Sequence, residues 1–185
     1  MHVTQVPEIA GALLLVPNPH VDDRGFFCRT FDADDVRAAG IDPDRFVQDS
    51  VSRSAYGVMR GLHLRTGDGE AKLVRCSHGA IFDVVVDLRP ASATFRRWRS
   101  FELRDDEQMS LYIPAGCAHG FQALTGTADV SYRIDRRYDF SRELSIRFDD
   151  PELGIPWPLP PTAMSRRDQQ AMTLAEAVSL LTDRA

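Results

Sequence analysis

Between Gly11 and Phe148 apolar residues recur at alternate positions in short runs, each broken by Gly, Pro, Asp or Ser. A period of two sends successive side chains to opposite faces of an extended chain, so this stretch is built for many strands and not for helices. In the run from Ile81 to Leu88, Phe82, Val84, Val86 and Leu88 share one face, while Ile81, Asp83, Val85 and Asp87 share the other. The first face is wholly apolar; the second carries carboxylates that are either buried or wet. Further strands are expected at Ala12 to Val16, Phe26 to Phe31, Phe46 to Ser52, Val58 to Leu64, Lys72 to Cys76, Trp98 to Leu103, Ser110 to Ile113, Gly120 to Leu124 and Ala128 to Ile134. Roughly one strand per ten residues is the density of a sandwich or barrel, and the fold class expected is mainly β.

Helices belong at the margins. Asp32 is placed to cap a short helix over Ala33 to Ala39, stopped by Gly40. Past the Pro-rich stretch from Pro151 to Pro161, Met164 to Leu181 reads as helical, with Leu174, Ala175, Val178 and Leu181 on one stripe. Two start signals, Ser165 with Asp168 and Thr173 with Glu176, leave open whether this tail is one helix or two. Ser77, His78 and Gly79 form a hairpin turn that leaves His78 solvated. With no repeat or long linker, residues 1–185 read as a single domain.

Twenty-two Lys and Arg against 27 Asp and Glu give a net charge of −5, the wrong sign for a chain that coats nucleic acid. Any bound anion must meet a local cluster of cations. Cys28, Cys76 and Cys117 are odd in number and widely spaced, which argues for reduced thiols and against a disulfide framework or zinc ribbon. The apolar stretch Ile9 to Val16 is too short to cross a membrane and follows no basic segment, so a soluble cytoplasmic protein is expected.

Of five histidines, His2 lies at a terminus expected to fray. His63, in "GVMRGLHLR", and His119, in "IPAGCAHGF", lie in or beside apolar strands. Pro114, Gly116 and His119 are similar to the second histidine motif of the cupin barrels. The first cupin motif is broken, because Gly57 and His63 are in register but Arg65 stands where a second histidine ligand belongs, and Glu70 is too far along to restore the set. Three protein ligands are the usual need of a catalytic metal, so no metal is expected.

An inward histidine without a metal points to proton transfer. A neutral imidazole can deprotonate a carbon acid if a carboxylate fixes its tautomer and a cation holds the resulting enolate oxygen. Lys72, in "AKLVR", opens an apolar strand, and Tyr132, in "DVSYRI", shares a face with Val130 and Ile134. Each alone fits core packing or snorkelling as well; their company with His63 raises the catalytic reading.

Eight strings in order, "DDRGFF" from Asp22, "FVQDSVSRS" from Phe46, "GVMRGLH" from Gly57, "KLVR" from Lys72, "FDVVVDLR" from Phe82, "SATF" from Ser92, "IPAGCAHGF" from Ile113 and "DDPELGIPWP" from Asp149, make the chain resemble the dTDP-4-dehydrorhamnose 3,5-epimerase family. The resemblance implies a cupin-type β barrel, a jelly roll with short flanking helices and a helical C-terminus. It implies a homodimer whose N-terminal strands close the partner's site, and no cofactor. The substrate implied is a nucleoside-diphosphate 4-keto-6-deoxy sugar, epimerised at C3 and C5. A 3-only or 5-only epimerase, or a non-catalytic sugar-nucleotide-binding cupin, are the alternatives.

Carried over by position, His63 corresponds to the base, Asp168 to the carboxylate that orients it, Tyr132 to the acid on the opposite face and Lys72 to the cation at the C4 oxygen. Arg24, Arg29, Gln48, Asp49, Ser50, Arg60, His119, Glu143 and Arg167 correspond to polar contacts, with Tyr138 stacking on the base. Asp83 either orients His119 or is a buried carboxylate held by backbone donors. The family commonly has Phe at the place of His20, Glu at that of Arg29 and Asn at that of Ser50.

Overall fold

The alternation of the sequence resolves into two facing antiparallel sheets in the computed structural model, which describes residues 1–182. The strands are β1 (His2–Gln5), β2 (Leu13–Val16), β3 (His20–Asp22), β4 (Gly25–Phe27), β5 (Gln48–Ala55), β6 (Met59–Arg65), β7 (Lys72–His78), β8 (Ala80–Asp87), β9 (Trp98–Arg104), β10 (Ser110–Ile113), β11 (Cys117–Ala123), β12 (Thr127–Ile134) and β13 (Glu143–Ser145). The helices are α1 (Ala33–Ala38), α2 (Arg166–Gln169) and α3 (Leu174–Thr182). One sheet runs β1-β2-β10-β7-β12-β5 and the other β13-β6-β11-β8-β9, while β3 and β4 form a separate hairpin. Sheet neighbours distant in sequence are the crossing pattern of a jelly roll.

Strand β8 shows how the layers are made. Its Val84 and Val86, with Phe82 and Leu88, pack outward against Leu62, Leu64, Ile146, Leu153 and Leu174 beneath the C-terminal segment. Ile81 and Val85 turn into the barrel and meet Val74, Leu111, Phe121 and Val130 from both sheets. Asp83 and Asp87 lie on that inner face and are fully buried, so of the two readings of those carboxylates the structure gives the dry one. Each fully buried aliphatic side chain contributes about 2 kcal/mol, and β8 is covered on both faces.

Several expectations shift. The strand expected from Phe26 to Phe31 is only β4, because the chain turns back on β3 as an exposed hairpin and leaves extended pairing at Cys28. His2 does not fray: it pairs with Val16 at the edge of the first sheet. His78 ends β7 exposed, and Gly79 takes the expected positive φ of 75°. Asp32 caps α1 by accepting from the Asp34 and Asp35 N–H groups. The tail forms two helices, α2 capped by Ser165 and α3 preceded by the reciprocal Thr173 and Glu176 contacts. On α3 the buried positions are Leu174 and Ala177, and the stripe expected through Ala175 is displaced because Ala175 faces solvent.

Candidate active site

On β6, Leu62 and Leu64 are committed to the outer core, which turns His63 and Arg65 inward. The strand lies hard against β11 at Gly61, whose φ is 119° and where a Cβ would come 2.5 Å from the Gly120 Cα. That approach sets His63 opposite His119 in the β6–β11 register. His63 Nε2 is 2.6 Å from Asp168 Oδ1. A carboxylate that only accepts calls for the proton on Nε2, leaving Nδ1 as the basic nitrogen. Burial works to raise the Asp168 carboxyl, but the hydrogen bond and charge of His63, with Ser165 and the Gly61 N–H, bring it below its ordinary value.

Tyr132 enters the same space from β12 in the opposite sheet, its hydroxyl 3.1 Å from Ser52 Oγ. Burial pushes its phenol well above the ordinary value, with Ser52 opposing and Asp83 adding. It is therefore protonated at neutral pH. Its ring is edge-on to His119, centroids 6.3 Å apart, and His119 Nε2 is 2.7 Å from Asp83 Oδ2, both residues being buried. Of the two readings of Asp83, this geometry is the one in which it orients His119.

Lys72 opens β7 with Nζ 2.9 Å from Glu70 Oε1. His63, Lys72, His119 and Tyr132 line one cavity of ≈ 260 Å³, together with Gln48, Ser50, Arg60, Tyr138 and Glu143. Arg60 is held by Ser54 Oγ at 2.9 Å and by the Arg53 carbonyl at 3.1 Å. A neighbouring cavity of ≈ 410 Å³ shares Arg60 and His63 and adds Arg167, Asp168 and Met164. Arg167 reaches back toward Glu143 at 3.5 Å.

Three expected contacts are elsewhere. Asp49 lies on the outer face of its sheet, paired with Arg133 at 3.0 Å, since alternation on β5 sends it away from Gln48 and Ser50. Arg24 sits on the exposed β3–β4 hairpin, paired with Asp22 at 2.6 Å. Arg29 pairs with Asp32 at 3.0 Å beside α1. Sequence reasoning missed Glu70 and Ser52 as parts of the cavity wall. Lys72, two residues on from Glu70, is the one lysine of the whole chain, the other 21 cations being arginine.

Among the described residues no three His, Cys, Asp or Glu side chains converge as metal ligands would. Arg65, where a cupin ligand would stand, donates to the Arg137 carbonyl at 2.8 Å. Burial raises the Cys76 thiol to about 11 and the Cys117 thiol to about 12, so neither is a ready nucleophile. Among the described residues no helix is long and apolar enough to cross a membrane.

The two-sheet jelly roll is a cupin-type fold, and its sequence places it among isomerases that act on sugar nucleotides. The chain belongs to the dTDP-4-dehydrorhamnose 3,5-epimerase family, whose model matches residues 7–176. It is 39% identical over 175 residues to the dTDP-4-dehydrorhamnose 3,5-epimerase of Escherichia coli strain K12, covering 94% of this chain and 95% of that one. To the dTDP-4-dehydrorhamnose 3-epimerase of Streptomyces niveus it is also 39% identical, over 91% of this chain and 82% of the other. The crystal structure of the Legionella pneumophila dTDP-6-deoxy-D-glucose-3,5-epimerase, in complex with dTDP-4-keto-L-rhamnose, superposes with a TM-score of 0.89 at 38% identity, covering 97% of this chain and 96% of that one.

Proposed function

We propose that the protein epimerises C3 and C5 of a dTDP-linked 4-keto-6-deoxy sugar, in the making of L-rhamnose or another deoxysugar. The observation that carries this reading is the convergence of the His63–Asp168 pair, the protonated Tyr132 and the Lys72 ammonium on one cavity. A ketone at C4 acidifies the hydrogens at C3 and C5. His63 Nδ1 takes the proton, the electron pair moves into the C4 oxygen as an enolate, and Lys72 stabilises that charge. Tyr132 gives a proton to the same carbon from the opposite face, so the carbon inverts and the ketone is restored. Because the ketone holds the electron pair, the step draws on no cofactor. Arg60 and Arg167 suit the diphosphate through their planar forks, and the exposed ring of Tyr138 suits the base. The protruding β3–β4 hairpin, with Val21, Phe26 and Phe27 open to solvent, supports a homodimer in which it covers the partner's cavity and delivers Arg24 there.

The test is incubation with dTDP-4-keto-6-deoxyglucose in deuterated water, followed by NMR. Deuterium with inversion at C3 and C5 is expected; no exchange at either carbon would refute the reading. A second reading, epimerisation at C3 alone, is favoured by the equal identity to the Streptomyces niveus 3-epimerase and would give deuterium at C3 only.

A further inference from the structure

Glu70 lines the cavity wall and Arg65 stands behind it, and neither has a part in the proton transfer itself. Glu70 is 8% exposed, with Oε1 2.9 Å from Lys72 Nζ and Oε2 3.9 Å from Arg65 Nη1. Arg65 is as deeply buried. Burying three charges is costly unless they alternate in sign and are held by hydrogen bonds, and this row runs plus, minus, plus. Its one net positive charge emerges at Lys72, on the cavity side. The loop that carries Glu70 is fastened on both flanks: the Ala71 N–H donates to Asp135 at 2.7 Å, and Asp68 is held by Arg136 at 3.2 Å and Arg142 at 2.9 Å.

The side chain being held is also singular, as the only lysine in a chain that otherwise uses arginine. An ammonium is a compact charge with three rotatable donors, so one can be spent on a fixed carboxylate while another is aimed at a ligand oxygen; a planar guanidinium offers no such division at this spacing. Resting on the epimerase reading above, we propose that Glu70, backed by Arg65, is a positioning residue that holds the Lys72 ammonium toward the sugar's C4 oxygen. Without the carboxylate, Lys72 loses the one ion pair it makes among the described residues.

The experiment uses the full chain and the variants Glu70→Gln and Glu70→Asp, with two readouts. Because there is one lysine, 15N-labelled protein gives one side-chain ammonium signal, from Lys72, whose line width reports how firmly that ammonium is held. In Glu70→Gln that ammonium signal is expected to broaden beyond detection, and in Glu70→Asp to return. In steady-state turnover Glu70→Gln is expected to lose about tenfold or more in kcat with KM changed less than about threefold, the pattern of an interaction made in the transition state. A kcat within about twofold of wild type, or a loss confined to KM, overturns the proposal. So does a variant that only melts earlier while its ammonium signal persists. If the wild-type protein turns over no 4-keto sugar nucleotide, the epimerase reading fails separately, and an ammonium signal unchanged in Glu70→Gln still refutes the positioning role.

Discussion

A carboxylate 2.6 Å from an imidazole decides which nitrogen of His63 is free to act. Asp168→Asn keeps the shape and removes the acceptor-only character, so the tautomer is no longer fixed. It is expected to lower kcat about 100-fold or more with little change in KM, measured as initial rates of deuterium exchange. A loss of less than about threefold would remove the orienting role. If the proposed epimerisation holds, Tyr132→Phe leaves the proposed base intact and removes the proposed acid, so it is expected to permit exchange of the C3 hydrogen while abolishing inversion, read by NMR of the recovered sugar. His63 was legible because it stands in the recognisable string "GVMRGLH", whereas Tyr132 and Asp168 stand outside all eight strings and are reached only by position within the resemblance; the alternation of β6 and β12 supports the direction of His63 and Tyr132. Glu70 was not legible, since its meaning lies in a 2.9 Å distance to Lys72 that no spacing rule expresses. Asp49 shows the converse: its string is recognisable, but alternation on β5 puts it on the outer face.

At the scale of elements, the long strands are legible because both faces of the barrel wall are constrained, as β8 illustrates. The short ones are not. β1, β3 and β13 have three or four residues each, too few for a period to register, and they exist because a neighbouring strand offers an edge. Two element-level contacts carry measurable consequences. Gly61→Ala forces a Cβ toward the Gly120 backbone at a positive φ, so it is expected to cost about 2–4 kcal/mol in urea unfolding. The end of β8 is tied down by Asp87, which accepts from Arg89 Nε at 2.8 Å, Ser92 Oγ at 2.5 Å and Thr94 Oγ1 at 2.6 Å. Arg89 and Thr94 in turn hold the backbone of Ala10. Burial works to raise the Asp87 carboxyl, but those hydrogen bonds bring it down to about 2. A carboxyl whose folded value lies below its unfolded value, about 3.9, stabilises fully above that pH and loses its contribution as pH falls toward 2. About 2 kcal/mol of stability is therefore expected to disappear between roughly pH 4 and pH 2, and an Asp87→Asn protein should show a flatter acid limb in the same titration.

At the scale of the molecule, a net charge of −5 is a poor guide to what the barrel mouth attracts, because Arg60, Lys72, Arg136 and Arg167 are gathered around the two cavities. The same scale decides the standing of Arg24, which among the described residues of one protomer pairs only with Asp22 and has a side chain 89% exposed. An arginine so placed belongs to the binding site only if the hairpin reaches another copy, and that arrangement has a signature that a hairpin folding over its own barrel lacks. Arg24→Ala and His63→Ala homodimers should each be impaired. When the two proteins are mixed and allowed to exchange subunits, each mixed dimer contains one intact site, formed by the His63-bearing barrel of one chain and the Arg24-bearing hairpin of the other. Half the dimers in an equal mixture are mixed and each has one working site of two, so activity is expected to recover to about a quarter of the wild-type value. A hairpin that serves its own barrel leaves every site in the mixture with a lesion, and the mixed sample then stays at the mean of the two variants.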